Sequence, residues 1–119
     1  MAPHRPPTPF DADKALTVAE AQSIIRELVA ESGRIIPLHH CLQRMEERAI
    51  SFGQVLRVLR RGQVAETPRF NEHRNWLVVV EGDASGAHLR IVGAIDRDRA
   101  GHLLLVITVV VLTADGEEE

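Results

Sequence analysis

Apolar residues fall at helical spacing in the first half of the chain and in extended runs in the second. Thr17 and Glu20 form a Thr-x-x-Glu capping box, which predicts a helix starting at Thr17. Ile24, Ile25, Leu28 and Val29 supply its apolar stripe, and Gly33 fits the position just past its end. Pro37 disfavours helix immediately before it. A second helix is predicted over His39 to Arg48, with Leu38, Leu42, Met45 and Ala49 on one inward face. Ser51 and Gln54 make a second capping box. The third helix then turns Phe52, Val55, Leu56 and Leu59 inward and Arg57, Arg60 and Arg61 outward, and Gly62 ends it.

After Gly62 the pattern becomes that of strands. The expected strands are Gln63–Thr67, Trp76–Glu81, Leu89–Asp96 and Leu103–Leu112, with an exposed segment, Pro68–Arg74, after the first. The Gly- and Asp-containing connections favour antiparallel hairpins. The last run is β-branched and apolar on both faces, which predicts a central position. The expected fold is α+β: N-terminal helices packed on a four-stranded antiparallel sheet. One domain is expected over 15–113, after a disordered Pro-rich tail at 1–14 and before an acidic tail at 114–119.

Composition adds limits. Cys41 is the only cysteine, which rules out an intramolecular disulfide and suits a reducing, cytoplasmic setting. Met1–Pro9 has no apolar core segment of the signal-peptide kind. Leu103–Leu112 is far short of the roughly 20 residues a membrane helix needs, so no membrane partner is expected. Net charge is −3, yet the stretch from Arg34 to Arg74 holds eight arginines against four acids. That stretch is therefore +4 and the remainder −7, so a polyanionic partner fits the middle of the chain despite the overall sign.

The candidate chemistry lies there. His40, Arg44 and Arg48 are spaced i, i+4, i+8, away from the predicted apolar face. Imidazole moves protons near neutral pH, and guanidinium stabilises charge growing on phosphorus. The ordinary reading of such a face is a solvated one, with Glu47 available to pair with Arg44 or Arg48. His39 points to another side, as a cap or a packing residue. Cys41 borders the core as a small hydrophobe. No histidine has metal-ligand spacing and no glycine motif cradles phosphate, so neither metal nor cofactor is expected. Arg69, His73 and Arg74 make a basic loop with Phe70 and Trp76 beside it. Trp76 fits best as a sheet anchor, with base stacking as the alternative. The Thr108 hydroxyl bonds either to backbone or faces a groove.

The run His40-Cys41-Leu42-Gln43-Arg44-Met45-Glu46-Glu47-Arg48-Ala49-Ile50-Ser51 resembles the H-A-x-x-R-M-x-E-R-G-I-S opening of a widespread bacterial family. Val55–Gly62, Ile91–Asp96 and Val106–Val109 resemble its VLxxLRxG, VVVAID and VITVY segments, in the same order. That family is a domain of unknown function grouped with the RelE/ParE and BrnT toxins. The resemblance implies a RelE-like fold, kinship with type II toxins that cleave mRNA, and a partner resembling the MqsA zinc-finger antitoxin. Its positions fall on His40, Arg44, Met45, Arg48, Gly62 and Thr108; Met45 and Gly62 read as core and helix stop. Ala49 stands where the family has glycine, Cys41 where it has alanine, and tyrosine is absent altogether. Tyrosine and lysine serve some RelE enzymes, so histidine and arginine must carry any cleavage here. The expectation is thus a toxin-like, metal-independent endoribonuclease. His40, Arg44 and Arg48 would do the chemistry, and Arg69, Arg74 and Thr108 would touch RNA. The alternative is a non-catalytic RNA- or protein-binding module of the same fold.

Overall fold

A computed structural model describes residues 15–112. The tails expected at 1–14 and 114–119 lie outside these described residues. Three helices, α1 (Val18–Ala30), α2 (His39–Glu47) and α3 (Phe52–Arg61), pack on one mixed sheet. Its strands are β1 (Ile35–Pro37), β2 (Gln63–Val64), β3 (Arg69–Phe70), β4 (Trp76–Ala84), β5 (Ala87–Asp98) and β6 (Gly101–Leu112).

Both capping boxes form as their spacing predicts, with Thr17 and Ser51 accepting from the backbone N–H of Glu20 and Gln54. The end of α1 differs from expectation. Gly33 lies inside a 3₁₀ turn, Ser32–Arg34, rather than at a left-handed cap. That turn sets up β1, which the hydrophobic pattern does not reveal because it is three residues long. Arg34 locks the junction. Its guanidinium makes a two-pronged bridge to Asp98 at 3.0 and 2.6 Å and also reaches the carbonyls of Gly101 and His102. Arg34 thereby holds the Asp98 carboxyl below its ordinary range, helped by the Ala100 N–H.

The expected four-stranded antiparallel sheet is corrected to a six-stranded mixed one, in the order β1-β6-β5-β4-β2, with β3 also on β4. The β4-β5-β6 meander is antiparallel as predicted, and Ser85-Gly86, both at positive φ, close its first hairpin. The addition is β1, which pairs parallel with β6 over Leu104–Val106. This places β6 inside the sheet for that part of its length. The first predicted strand shortens to Gln63–Val64; the segment 68–74 is largely exposed as expected, apart from a buried Pro68, and it also contributes the two-residue β3. Phe70 packs on the buried Trp76 ring, centroids 5.1 Å apart, so Trp76 anchors the sheet.

One core joins the helices to one face of the sheet. Ile25, Leu28 and Val29 of α1, Cys41 and Met45 of α2, and Val55, Val58 and Leu59 of α3 meet Val78, Val80, Leu89, Ile91, Ile95, Leu104, Val106 and Val109. On α2 the inward face is rotated from the predicted one. Leu38 and Leu42 are 39% and 48% exposed, while Cys41 is fully buried. Burial raises the Cys41 thiol above its usual range, leaving it protonated and inert. Along β6 the core residues switch from even to odd numbers. Val92 pairs with Thr108 and Gly93 with Val106, so Ile107 is an extra residue, a β-bulge.

The turn after α2 contains Ala49 at φ 54°, a left-handed conformation that costs an L-residue roughly 1–2 kcal/mol. The side chain is exposed and offers no packing in return. Ala49→Gly should therefore stabilise the fold by about 0.5–1 kcal/mol, after the extra freedom glycine gives the unfolded chain. Urea denaturation should show a higher midpoint at an unchanged slope, and a lower midpoint would refute it.

Candidate functional site

Helix α2 begins where β1 ends. The Leu38 N–H, still outside the helix, donates to the Val106 carbonyl at 3.0 Å and holds the helix N-terminus against β6. Cys41 and Met45 then face the core. With those positions fixed, the i, i+4, i+8 spacing carries His40, Arg44 and Arg48 together toward the bulged part of β6. They line one open groove of about 420 Å³ with Ile107, Thr108 and Val110. The structure thus brings four of the six sequence-predicted site residues together: His40, Arg44, Arg48 and Thr108.

The two arginines differ in freedom. Arg48 donates through one terminal nitrogen to the Val109 carbonyl at 2.7 Å, which ties the end of α2 to β6. Its remaining N–H groups stay available to a ligand. Arg44 is exposed, and its side chain makes no hydrogen bond to any of the described residues. Glu47 pairs with neither: among the described residues no carboxylate lies within 4.0 Å of Arg44 or Arg48. His40 is exposed, and the His39 ring lies 6.1 Å from it, tilted by 58°. His39 is exposed as well and packs into no core.

Arg69 and Arg74 are placed elsewhere. They flank the β3–β4 connection at the far edge of the sheet, separated from β6 by β4 and β5. Arg74 lies over the Phe70 ring at 5.9 Å. Asn71 organises the loop by accepting from the N–H groups of His73 and Asn75. Neither arginine joins the groove.

Sequence reasoning missed Ile107 and Val110 as groove residues and missed the tie of Arg48 to the strand. A hint existed: Thr108 interrupts an otherwise apolar run, but a bulge has no signature in a run that is apolar at nearly every position. Among the described residues no cluster of three or more His, Cys, Asp or Glu side chains could hold a metal, and no helix is long and apolar enough to cross a membrane. What the groove offers is fixed positive charge, a hydroxyl and an imidazole. That is the equipment of a protein that recognises phosphate or carboxylate groups and is able to move a proton beside them.

Residues 38–111 match the model of a domain of unknown function, DUF4258, and the chain belongs to that family. The match opens with α2 and closes with β6, so it takes in the whole groove. No curated protein and no solved structure matches the chain.

Proposed function

We propose that this protein is a toxin-like, metal-independent endoribonuclease of RelE/BrnT kinship, with the α2–β6 groove as its active site. One observation carries the reading. An imidazole and two guanidinium groups without carboxylate partners converge on a groove beside a strand bulge. Unpaired arginines in a concavity suit phosphate, which accepts the guanidinium fork on two oxygens.

The chemistry follows from the side chains. A base takes the proton of the RNA 2′-hydroxyl, whose oxygen then attacks phosphorus. The 5′-oxygen of the next nucleotide leaves and must receive a proton. The products are a 2′,3′-cyclic phosphate and a free 5′-hydroxyl, and water is not consumed. His40 supplies the groove's imidazole and serves as base or acid, with water carrying the other proton. Arg44 and Arg48 hold the non-bridging oxygens and stabilise the charge that grows there. The Thr108 hydroxyl positions the substrate. Arg69 and Arg74, on the distant edge, are left to secondary contacts with a longer RNA.

The second reading, a non-catalytic RNA- or protein-binding module, has one observation of its own. Ile36, Leu38 and Leu42 are 40%, 39% and 48% exposed around the start of α2, an apolar group fit for a protein partner. The toxin reading absorbs the same patch as the contact for an antitoxin resembling MqsA.

The deciding experiment compares wild type with His40→Ala, by induced expression in bacteria and by incubation of the purified proteins with RNA. Wild type should arrest growth and degrade mRNA. His40→Ala should lose activity by about 10²–10⁴-fold while keeping its thermal midpoint. Normal growth and intact RNA with soluble, folded wild type would rule out the nuclease and leave the binding module. Arrest that persists in the variant would remove His40 from the chemistry.

A further inference from the structure

A second basic surface lies outside the groove. Arg57, Arg60 and Arg61 project from α3 within about 100° of one another on the helical wheel. All three are exposed. With Ser51, Gln54 and Ser85 they border a separate open concavity of about 450 Å³ between α3 and the β4–β5 turn. Arg26 of α1 extends the surface, its Nε donating to the Arg60 carbonyl at 3.3 Å. Among the described residues no carboxylate lies within 4.0 Å of any of these four arginines. Arg34 and Arg90, by contrast, pair with Asp98 and Glu81, while the groove residues Arg44 and Arg48 share the unpaired state.

Four like charges left unneutralised repel one another, and helix electrostatics explains only part of the arrangement. Arg60 and Arg61 sit in the last turn of α3, where a cation is favoured by the helix dipole. Arg57, a turn earlier, and Arg26, on another helix, gain less from it. The lining also identifies the kind of partner. Leu56 is the one large apolar side chain there, whereas a protein interface builds its centre from buried apolar and aromatic groups. An open, polar, arginine-bordered concavity suits a sugar–phosphate backbone, where affinity comes from phosphate contacts.

Its position relative to the groove matters too. Arg48 lines the groove and Ser51 lines the second concavity. They are three positions apart, so their Cα atoms are at most about 11 Å apart. The α2–α3 corner thus contributes a residue to each concavity.

We infer that the Arg57/Arg60/Arg61 face of α3, extended by Arg26, is a backbone-binding subsite for single-stranded RNA, continuous with the α2–β6 groove. The inference rests on the ribonucleolytic reading for its choice of RNA, but not on cleavage itself. The subsite holds the strand without reading its sequence.

The test uses the full chain, a fluorescent 2′-O-methyl RNA oligonucleotide that cannot be cleaved, and fluorescence anisotropy across a salt series. The variant is Arg57→Gln/Arg60→Gln/Arg61→Gln, with Arg99→Gln, exposed between β5 and β6, as the comparison. The α3 variant should bind about tenfold or more weakly at low salt. Its log–log salt slope should be smaller in magnitude by about 2, at ~0.7 per phosphate contact on a single strand. On cleavable RNA it should raise KM and leave kcat largely unchanged. Affinity and salt slope equal to wild type would overturn the subsite while leaving the groove reading intact. Binding that depends on α3, from a wild type that cleaves nothing, would uphold the subsite and remove the ribonuclease. A poly-glutamate peptide bound more tightly than RNA through the same arginines would assign the face to an acidic protein and overturn the RNA proposal. Circular dichroism confirms that the exposed substitutions leave the fold in place.

Discussion

Gly62→Ala should destabilise the protein by roughly 3 kcal/mol or more, enough to leave much of the chain unfolded at 37 °C. A Cβ at this position would stand 2.4 Å from the Glu81 carbonyl oxygen and 2.5 Å from that of Val58. Both obstacles are backbone, so no rotamer change relieves them. The Gly62 backbone is extended, at φ −76° and ψ −175°, so this glycine is required for proximity rather than for a left-handed turn. Here α3 ends against β4, and Gln22 stitches the junction by donating to the Gly62 carbonyl and accepting from the Val64 N–H. Moving the backbone would break that stitch as well. Gly53→Ala is the control within the same helix. A Cβ there meets nothing closer than 3.7 Å, and replacing helical glycine with alanine should stabilise by up to about 1 kcal/mol. Thermal and urea melts of the pair should move in opposite directions; a Gly62→Ala protein as stable as wild type would refute the close approach.

The second large effect separates the two groove arginines. On the ribonuclease reading proposed above, Arg44→Ala should reduce RNA cleavage by about 10²–10³-fold and change stability by less than about 0.5 kcal/mol, because its exposed side chain bonds to none of the described residues. Arg48→Ala should reduce cleavage and also cost roughly 1–3 kcal/mol, because it leaves the partly buried Val109 carbonyl without its donor. Turnover at saturating RNA, measured beside the urea midpoint for each variant, decides the matter. Equal stability losses would mean that Arg48 is not the tie described here. Full activity in Arg44→Ala would remove that residue from the site.

Much of this fold is legible in the sequence because its signals are local. The capping boxes at Thr17 and Ser51, the Gly62 stop and the alternation along β4 each depend on residues a few positions apart. What escapes is decided across distance. β1 is three residues whose partner lies about seventy positions later, and nothing within Ile35-Ile36-Pro37 announces it. The larger hydrophobes Leu38, Leu42 and Met45 suggest one face of α2, yet the core receives Cys41 and Met45. The smaller side chain fits where the helix comes close to β6, and two leucines are left facing solvent. The grouping of His40, Arg44 and Arg48 was readable from helical spacing alone, whereas their meeting with Thr108 depends on where β6 lies. Arg69 and Arg74 looked equivalent to them in charge, but two strands intervene.

The bulge at Ile107 also constrains how this chain can vary. The core asks for Leu104 and Val106 on one side of the extra residue and Val109 on the other. Deleting Ile107 would bring Val106 and Val109 to a spacing of two and keep both on the core face, while removing a residue that lines the groove. The hydrophobic interior therefore does not require the extra residue; its presence is felt on the groove side of β6. A shorter β6 could keep the interior of this protein and still lose the wall of its groove.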